Sequence, residues 1–310
     1  MPALPPGGVL LRVLDLSLDA GALVPIGVGD VIPGESVSEV IASEHSAYAA
    51  GDFVLSSTGW RTHVASDGAG LRKVDSAFGP VRTVLGVLGT PGFVAYSGIM
   101  QIGKPKPGET VVVAAAGDPV GSLVGQLAKM AGARVVGIAG GTEECHYIRE
   151  ELEFEGVIDH RMPDLADTLA AVCPNGIDIY FENVGGGPIW HAVLPLLNRY
   201  ARVPVRGWAT QYTGAGAADG LTGPIDTLRE VASKRLTLRG FVSDEFTDMQ
   251  YREFLRIVSQ GIANGRIRHR EDVTNGLENA PLAFIKMLEG RSFGKALVCV
   301  APTSLGPPAA

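Results

Sequence analysis

TVVVAAAGDPVGSLVGQLAKMAGARVVGIAGG, residues 110–141, is the stretch from which the rest of the chain is read. A β-branched run, Val111, Val112 and Val113, empties into small residues and a turn, Ala116-Gly117-Asp118-Pro119-Val120-Gly121. Val120, Leu123, Val124, Leu127 and Met130 follow at helical spacing, and 134–138 reads as a second apolar strand. Strand, small-residue turn, helix and strand within about thirty residues mark the start of a dinucleotide-binding fold. The helix begins at the turn, so its unpaired N–H groups face the ligand crevice.

The turn also carries a conflict. The fingerprint asks for a very small residue at three places, and these hold Ala116, Asp118 and Gly121. At the middle one the backbone normally touches pyrophosphate, and a carboxylate there faces another anion in poorly screened surroundings. The alternative is that Asp118-Pro119 is a turn dipeptide with its carboxylate in solvent. Both readings stand at this point.

The 310 residues suggest two domains or one domain with a large insertion, and 46% hydrophobic residues supply ample core. A net charge of −7 argues against a nucleic-acid partner. The N-terminal segment lacks a basic, apolar signal pattern, and no stretch is long enough to span a membrane, so a cytoplasmic location is expected. Cys145, Cys173 and Cys299 are isolated, which predicts neither a metal site nor a disulfide framework.

Upstream of the core unit, 9–16, 36–43, 52–57 and 62–64 read as short strands of a small β domain. A helix and a proline-rich turn occupy 88–109. Downstream, βα alternation continues: helix 142–152 behind a Thr142 N-cap, strand 157–159, helix 165–172, strand 177–181, helix 189–197, strand 201–205, helix 225–234 and strand 236–242. This predicts an α/β fold with a doubly wound parallel sheet. A helix over 248–263, a helix over 279–289, a strand over 295–300 and a disordered tail over 302–310 complete the chain.

LGTPGFVAYSG (88–98), VGSLVGQLAK (120–129), GIDIYFENVGG (176–186), LTLRGF (236–241) and FGKALV (293–298) resemble the zinc-free medium-chain dehydrogenase/reductase superfamily. The likeness is to its leukotriene B4 dehydrogenase, prostaglandin reductase and alkenal reductase group, and it covers most of the chain. The resemblance implies a GroES-like substrate domain (1–97 and 268–310), shortened at its N-terminus, and a Rossmann-type domain (98–267). It further implies an active site in the cleft between them, no catalytic metal, and a homodimer. Members of the group transfer hydride from NADPH to the β-carbon of an enone or enal.

Departures from the family pattern fall on cofactor contacts. Val94 replaces a usual Thr, Asp118 enters the glycine turn, and Glu144 stands where a Lys pairs with the 2′-phosphate. Ile158-Asp159-His160-Arg161 replaces a phrase bearing a Tyr near that phosphate, and Ser292 replaces an Asn. Each has a bland reading. Glu144 suits the first turn of a helix, and it can also hydrogen-bond a ribose 2′-OH and turn preference toward NADH. His160 and Arg161 can still supply positive charge. Together, losing a few charge-assisted phosphate contacts at about 1.5–3 kcal/mol each would carry a micromolar cofactor toward millimolar.

The positions equivalent to the family's cofactor contacts are therefore Gly117, Asp118, Gly121, Gly141, Glu144, His160, Arg161 and Ser292. Asn183, at the carboxyl end of a parallel strand, reads either as a ligand contact or as a capping Asn. Tyr212 matches a family tyrosine near the reacting carbonyl, and its phenol can polarise a carbonyl. His63 stands where the family tends to have a cleft-facing Tyr. Trp60, Phe93, Tyr96, Trp208 and Phe241 are assigned to an apolar substrate cleft or, alternatively, to plain core. The eroded contacts place a cofactor-independent cyclase or isomerase acting on an unsaturated carbonyl or polyketide-like substrate first. An NAD(P)H-dependent enone, enal or quinone reductase using NADPH or NADH follows, and a catalytically inactive binding protein comes third. The expected partner is an apolar small molecule, with no nucleic acid and no membrane.

Overall fold

The computed structural model describes residues 1–22, 25, 27–206 and 224–302. Trp208, Tyr212 and all but the first residue of the expected 302–310 tail lie outside the described residues. The chain divides into two compact units, Met1–Thr90 with Arg270–Ala310, and Pro91–His269.

In chain order the strands are β1 Val9–Ser17, β2 Ser36–Ser43, β3 Phe53–Ser56, β4 His63–Ser66, β5 Arg72–Val74, β6 Thr110–Ala114 and β7 Arg134–Ala139. There follow β8 Gly156–Asp159, β9 Ile177–Phe181, β10 Leu197–Val205, β11 Thr237–Gly240, β12 Glu271–Asn275 and β13 Lys295–Cys299. The first unit is a seven-stranded sheet ordered β12-β13-β1-β2-β3-β5, with β4 on β1. Strand β1 is buried along almost its whole length and is the hub, pairing antiparallel with β2, β4 and β13. Two strands here carry no apolar pattern and were not expected. Strand β5 is short and charged, and β12 (EDVTN) is half-exposed at the sheet edge, held by its parallel ladder to β13.

The second unit carries a six-stranded parallel sheet ordered β11-β10-β9-β6-β7-β8. Numbered from β6, this is the doubly wound order 3-2-1-4-5-6, which places the switch point between β6 and β9. Strand β6 (TVVVA) is buried throughout because helices cover both faces of such a sheet. Its helices include α1 Thr90–Tyr96, α2 Pro119–Met130, α3 Thr142–Glu150, α4 Leu165–Val172 and α5 Gly187–Val193. Helix α1 runs into a π-helical turn over Ser97–Gly103. Gly98 is required there, since a Cβ would lie 2.5 Å from the Phe181 ring and 2.6 Å from that of Phe241.

Four elements differ from expectation at their ends for local reasons. Helix α3 takes Gly141 as its N-cap with no side-chain bond, so Thr142 is its first residue and does not cap it. Helix α5 ends at Val193, and β10 starts at Leu197 because Leu197 pairs with Ile177 before a bulge in which Tyr200 takes φ +66°. Strand β11 is shorter than 236–242, spanning four exposed residues at the sheet edge. Among the described residues no helix is long and apolar enough to cross a membrane.

Candidate active site

The carboxyl ends of β6 and β9 meet at the switch point, and the turns that leave them define the site. After β6 the chain takes a left-handed step at Ala115 (φ +50°) and enters α2 with Asp118 as N-cap and Pro119 as first helical residue. Asp118 Oδ1 accepts the Gly121 N–H at 2.5 Å, satisfying a donor that the helix cannot bond itself. Gly121 has no substitute, because a Cβ would stand 2.2 Å from the Ala115 carbonyl oxygen.

After β9, Glu182 is 5% exposed, yet every bond it makes is explicit. Its Oε1 accepts the Val184 N–H at 2.7 Å and the Gly185 N–H at 2.9 Å, and its Oε2 accepts the Tyr180 hydroxyl at 3.1 Å. Burial and the Glu182 carboxylate hold the Tyr180 phenol well above its ordinary value, so it stays a donor. The rigid turn presents Asn183, whose Nδ2 donates to Asp118 Oδ2 at 2.6 Å. Asp118 therefore neither points into solvent nor lies bare in the crevice; it caps α2 and reaches across the switch point. Burial lifts its carboxyl to about 6 against the pull of the Gly121, Asn183 and Val120 donors, and Glu144 adds to the rise.

The second half of the site lies at the ends of β7 and β8. Strand β7 ends in Ala139-Gly140-Gly141, with no acid, and β8 is followed by His160 and Arg161, both exposed. A Cβ on Gly140 would stand 2.8 Å from His160 Nε2 and 3.2 Å from Arg161 Nε, and one on Gly141 would stand 2.6 Å from an Arg161 guanidinium nitrogen. The imidazole and the guanidinium thus lie directly on glycine backbone. The Arg161 N–H, donated to Asp159 Oδ1 at 3.0 Å, is the main reason the Asp159 carboxyl sits below its ordinary value. Glu144, from the first turn of α3, accepts the Gly140 N–H at 3.2 Å, and its carboxylate lies 3.0 Å from where a Gly117 Cβ would be.

The chemistry of these residues matches the phosphates of a nicotinamide dinucleotide phosphate. A glycine pair overlaid by an arginine and a histidine suits a 2′-phosphate, because the fold places an Arg near that group when it takes the phosphorylated cofactor and an acid when it does not. The N-terminus of α2 suits a pyrophosphate, although the Gly121 N–H is already bound to Asp118 and Val120 also donates toward it. The residues fit. Among the described residues no group of three or more His, Cys, Asp or Glu converges to hold a metal ion.

Gly117, Asp118, Gly121, Gly141, Glu144, His160, Arg161 and Asn183 all belong to this unit and surround the carboxyl ends of its central strands. Phe93, Tyr96 and Phe241 are at most 8% exposed. They belong to an aromatic cluster in which Phe93 meets Tyr251 at 5.0 Å and Phe254 at 5.4 Å, Tyr96 meets Phe254 at 5.9 Å, and Phe241 meets Phe181 at 6.3 Å. Val94 is buried in α1. The remaining positions belong to the β unit. Trp60 stacks edge-on against Phe284 at 5.7 Å, His63 Nδ1 lies 3.3 Å from Thr62 Oγ1, and Ser292 is half-buried just before β13. Sequence reasoning missed Glu182 and Tyr180; the available signal was a lone acid inside the apolar run IDIYFENV.

The chain was then compared with known proteins. A family model described as zinc-binding dehydrogenase matches residues 119–260, and one described as the N-terminal domain of oxidoreductase matches residues 1–74. NADPH-dependent curcumin reductase of Escherichia coli (strain K12) is 44% identical over 305 residues, covering 95% of this chain and 88% of that protein. Prostaglandin reductase 1 of Rattus norvegicus is 35% identical over 305 residues, covering 96% and 91%. The crystal structure of CurA in complex with NADPH from Vibrio vulnificus superposes with a TM-score of 0.90 at 42% identity, covering 98% of this chain and 93% of that one.

These findings overturn the first-placed sequence reading. A cofactor-independent cyclase or isomerase has no support among these relatives, two of them named as reductases, one of those and the solved structure with NADPH in the name or title. The expectation of no cofactor falls with it. Its physical weakness was to count Asp118 as a bare negative charge, when the fold commits that carboxylate to the Gly121 N–H and to Asn183.

Proposed function

Because the chain belongs to the zinc-free medium-chain dehydrogenase/reductase superfamily, we propose that it is an NADPH-dependent reductase acting on the conjugated double bond of an enone or enal. The observation that carries the reading is the seat of His160 and Arg161 on the Gly140-Gly141 backbone, beside a β7 that ends without an acid.

When bound, NADPH supplies the hydride delivered to the substrate's β-carbon. The chain's own contribution is positional and electrostatic. His160 and Arg161 hold the 2′-phosphate, and the Gly117–Gly121 turn at the start of α2 faces the pyrophosphate. Asn183 shapes the crevice between β6 and β9. To Tyr212 we assign a hydrogen bond to the substrate's carbonyl oxygen, where negative charge grows as the β-carbon accepts hydride; an aligned donor there lowers the barrier. The tyrosine assignment and a homodimer rest on the family resemblance.

Titration of the purified protein with NADPH and NADH tests the reading. The expected result is micromolar NADPH binding, at least about tenfold tighter than NADH, followed by NADPH consumption with an enone, an enal or a quinone in the assay. Arg161→Ala should weaken NADPH about 10- to 100-fold and leave NADH unchanged, since only the former loses a charge-assisted phosphate contact. Absence of binding to either dinucleotide at millimolar concentration defeats the proposal.

A further inference from the structure

The N-terminus of a helix in this fold offers its free N–H groups to the pyrophosphate of a dinucleotide. Here one of those groups, on Gly121, already carries an anion from within the chain, Asp118 Oδ1 at 2.5 Å. The second oxygen of the same carboxylate takes Asn183 Nδ2 at 2.6 Å, a bond that ties the turn after β6 to the turn after β9. Both contacts are short, as charge-assisted hydrogen bonds are. They span the one place in the sheet where neighbouring strands diverge to opposite sides and a ligand enters.

We propose that Asp118 is an internal competitor for the cofactor's pyrophosphate: its carboxylate occupies the anion position of α2 and latches Asn183 across the crevice, so dinucleotide binding must displace or neutralise it. This rests on the NADPH reading above and adds to it a regulation of the same site by protons. Glu144 is the charged group that acts on Asp118, and the other titratable groups at this end of the sheet are engaged elsewhere. From α3 comes Glu144, against Gly117 and acting in the same sense. From the end of β9 comes Glu182, whose oxygens are taken by Tyr180, Val184 and Gly185. From the end of β8 come His160 and Arg161, seated on Gly140 and Gly141.

An anion brought to this turn raises further the proton affinity of a carboxyl that already titrates at about 6. NADPH binding therefore draws a proton onto Asp118. Affinity is insensitive to this group below about pH 6 and falls as pH rises above it, by up to about tenfold per pH unit, until the higher value of the bound state is passed.

The test compares wild type with Asp118→Asn by NADPH titration at about pH 6 and about pH 8. Asn caps helices as well as Asp does, so the substitution removes the charge and keeps the cap. Asp118→Ser, a second capping residue without charge, guards against an effect peculiar to the amide, and thermal melts confirm that each variant is folded. The 2′-phosphate titrates near pH 6 in both proteins, so the ratio of their affinities isolates Asp118.

The expected result is tighter binding by both variants at about pH 8, by at least about tenfold, with the ratio falling toward one near pH 6. Calorimetry in two buffers of different ionisation heat should record more proton uptake by wild type than by Asp118→Asn. Equal affinities and equal pH profiles overturn the competitor role while leaving the cofactor reading intact. Weaker binding by both folded variants does the same and makes Asp118 a supporting contact. Failure of wild type and variants alike to bind NADPH overturns both.

Discussion

Two aspartates, one fully buried and one half-buried, have their carboxyls lifted to about 6, and they arrive there differently. Asp15 is fully buried in β1; among the described residues neither of its oxygens has a hydrogen-bond partner, and its compensation is the Arg82 guanidinium at 3.3 Å. Asp118 has donors on both oxygens, from the helix it caps and from Asn183. For each, burial is the largest cause of the rise. A perturbed carboxyl is therefore no marker of function by itself. What separates the two is location: Asp15 sits within an antiparallel sheet, whereas Asp118 stands at the switch point, where the ends of a parallel sheet receive ligands.

The largest effect should come from the pair with least compensation. Arg82→Ala leaves Asp15 without its counter-charge and should cost about 3 kcal/mol in urea unfolding at neutral pH, the lower end for a broken buried pair because Arg82 is partly exposed. The cost should shrink below about pH 6, where Asp15 carries a proton. A cost that does not change with pH would mean that Arg82 acts by packing alone.

On the other side of the comparison, Gly121→Ala forces a Cβ against the Ala115 carbonyl and should cost about 1–3 kcal/mol while weakening NADPH binding. Glu182→Gln keeps one acceptor for the Val184 and Gly185 N–H groups and removes the charge, for about 1–2 kcal/mol. If Glu182 acts only by holding the turn, NADPH affinity should follow the loss of stability.

The pH dependence of stability sharpens the parallel between the two acids. Each binds its proton more tightly folded than unfolded, so each makes the native state less stable as pH rises from about 4 to about 6, with no further change above. Asp15→Asn should remove its share of that slope, measured as the difference from wild type. Asp118→Asn keeps the cap and removes the other share, so its stability relative to wild type should rise as pH goes from about 4 to about 6. The same substitution should tighten NADPH binding at about pH 8, opposite in sign to Arg161→Ala.

The parts of the fold that could be read from the chain are those whose signal is local. The β6–α2–β7 unit declares itself through Val111–Val113, the small-residue turn and the apolar spacing from Val120 to Met130, and the parallel sheet follows from continued alternation. Strand β12 could not be read, because Glu271-Asp272-Val273-Thr274-Asn275 lies half-exposed at an edge and is a strand only through its ladder to β13. Strand β10 begins early for a similar reason, its first residue being held by Ile177. At the candidate site, the glycines and the cations of His160-Arg161 were visible as residue types. The use of each was not, and the count of introduced acids misdirected the functional reading.

By itself the amino-acid sequence determined the fold class, the position of the nucleotide-binding turn and the family resemblance, because periodicity and turn chemistry act within a few residues along the chain. Only the tertiary structure decided what becomes of the Asp118 charge. Its partner Asn183 is 65 residues away and reaches it because β6 and β9 are neighbours at the switch point. The energy of a buried carboxylate depends on the donors that meet it, and those are brought together by the topology of the sheet and not by adjacency in the chain.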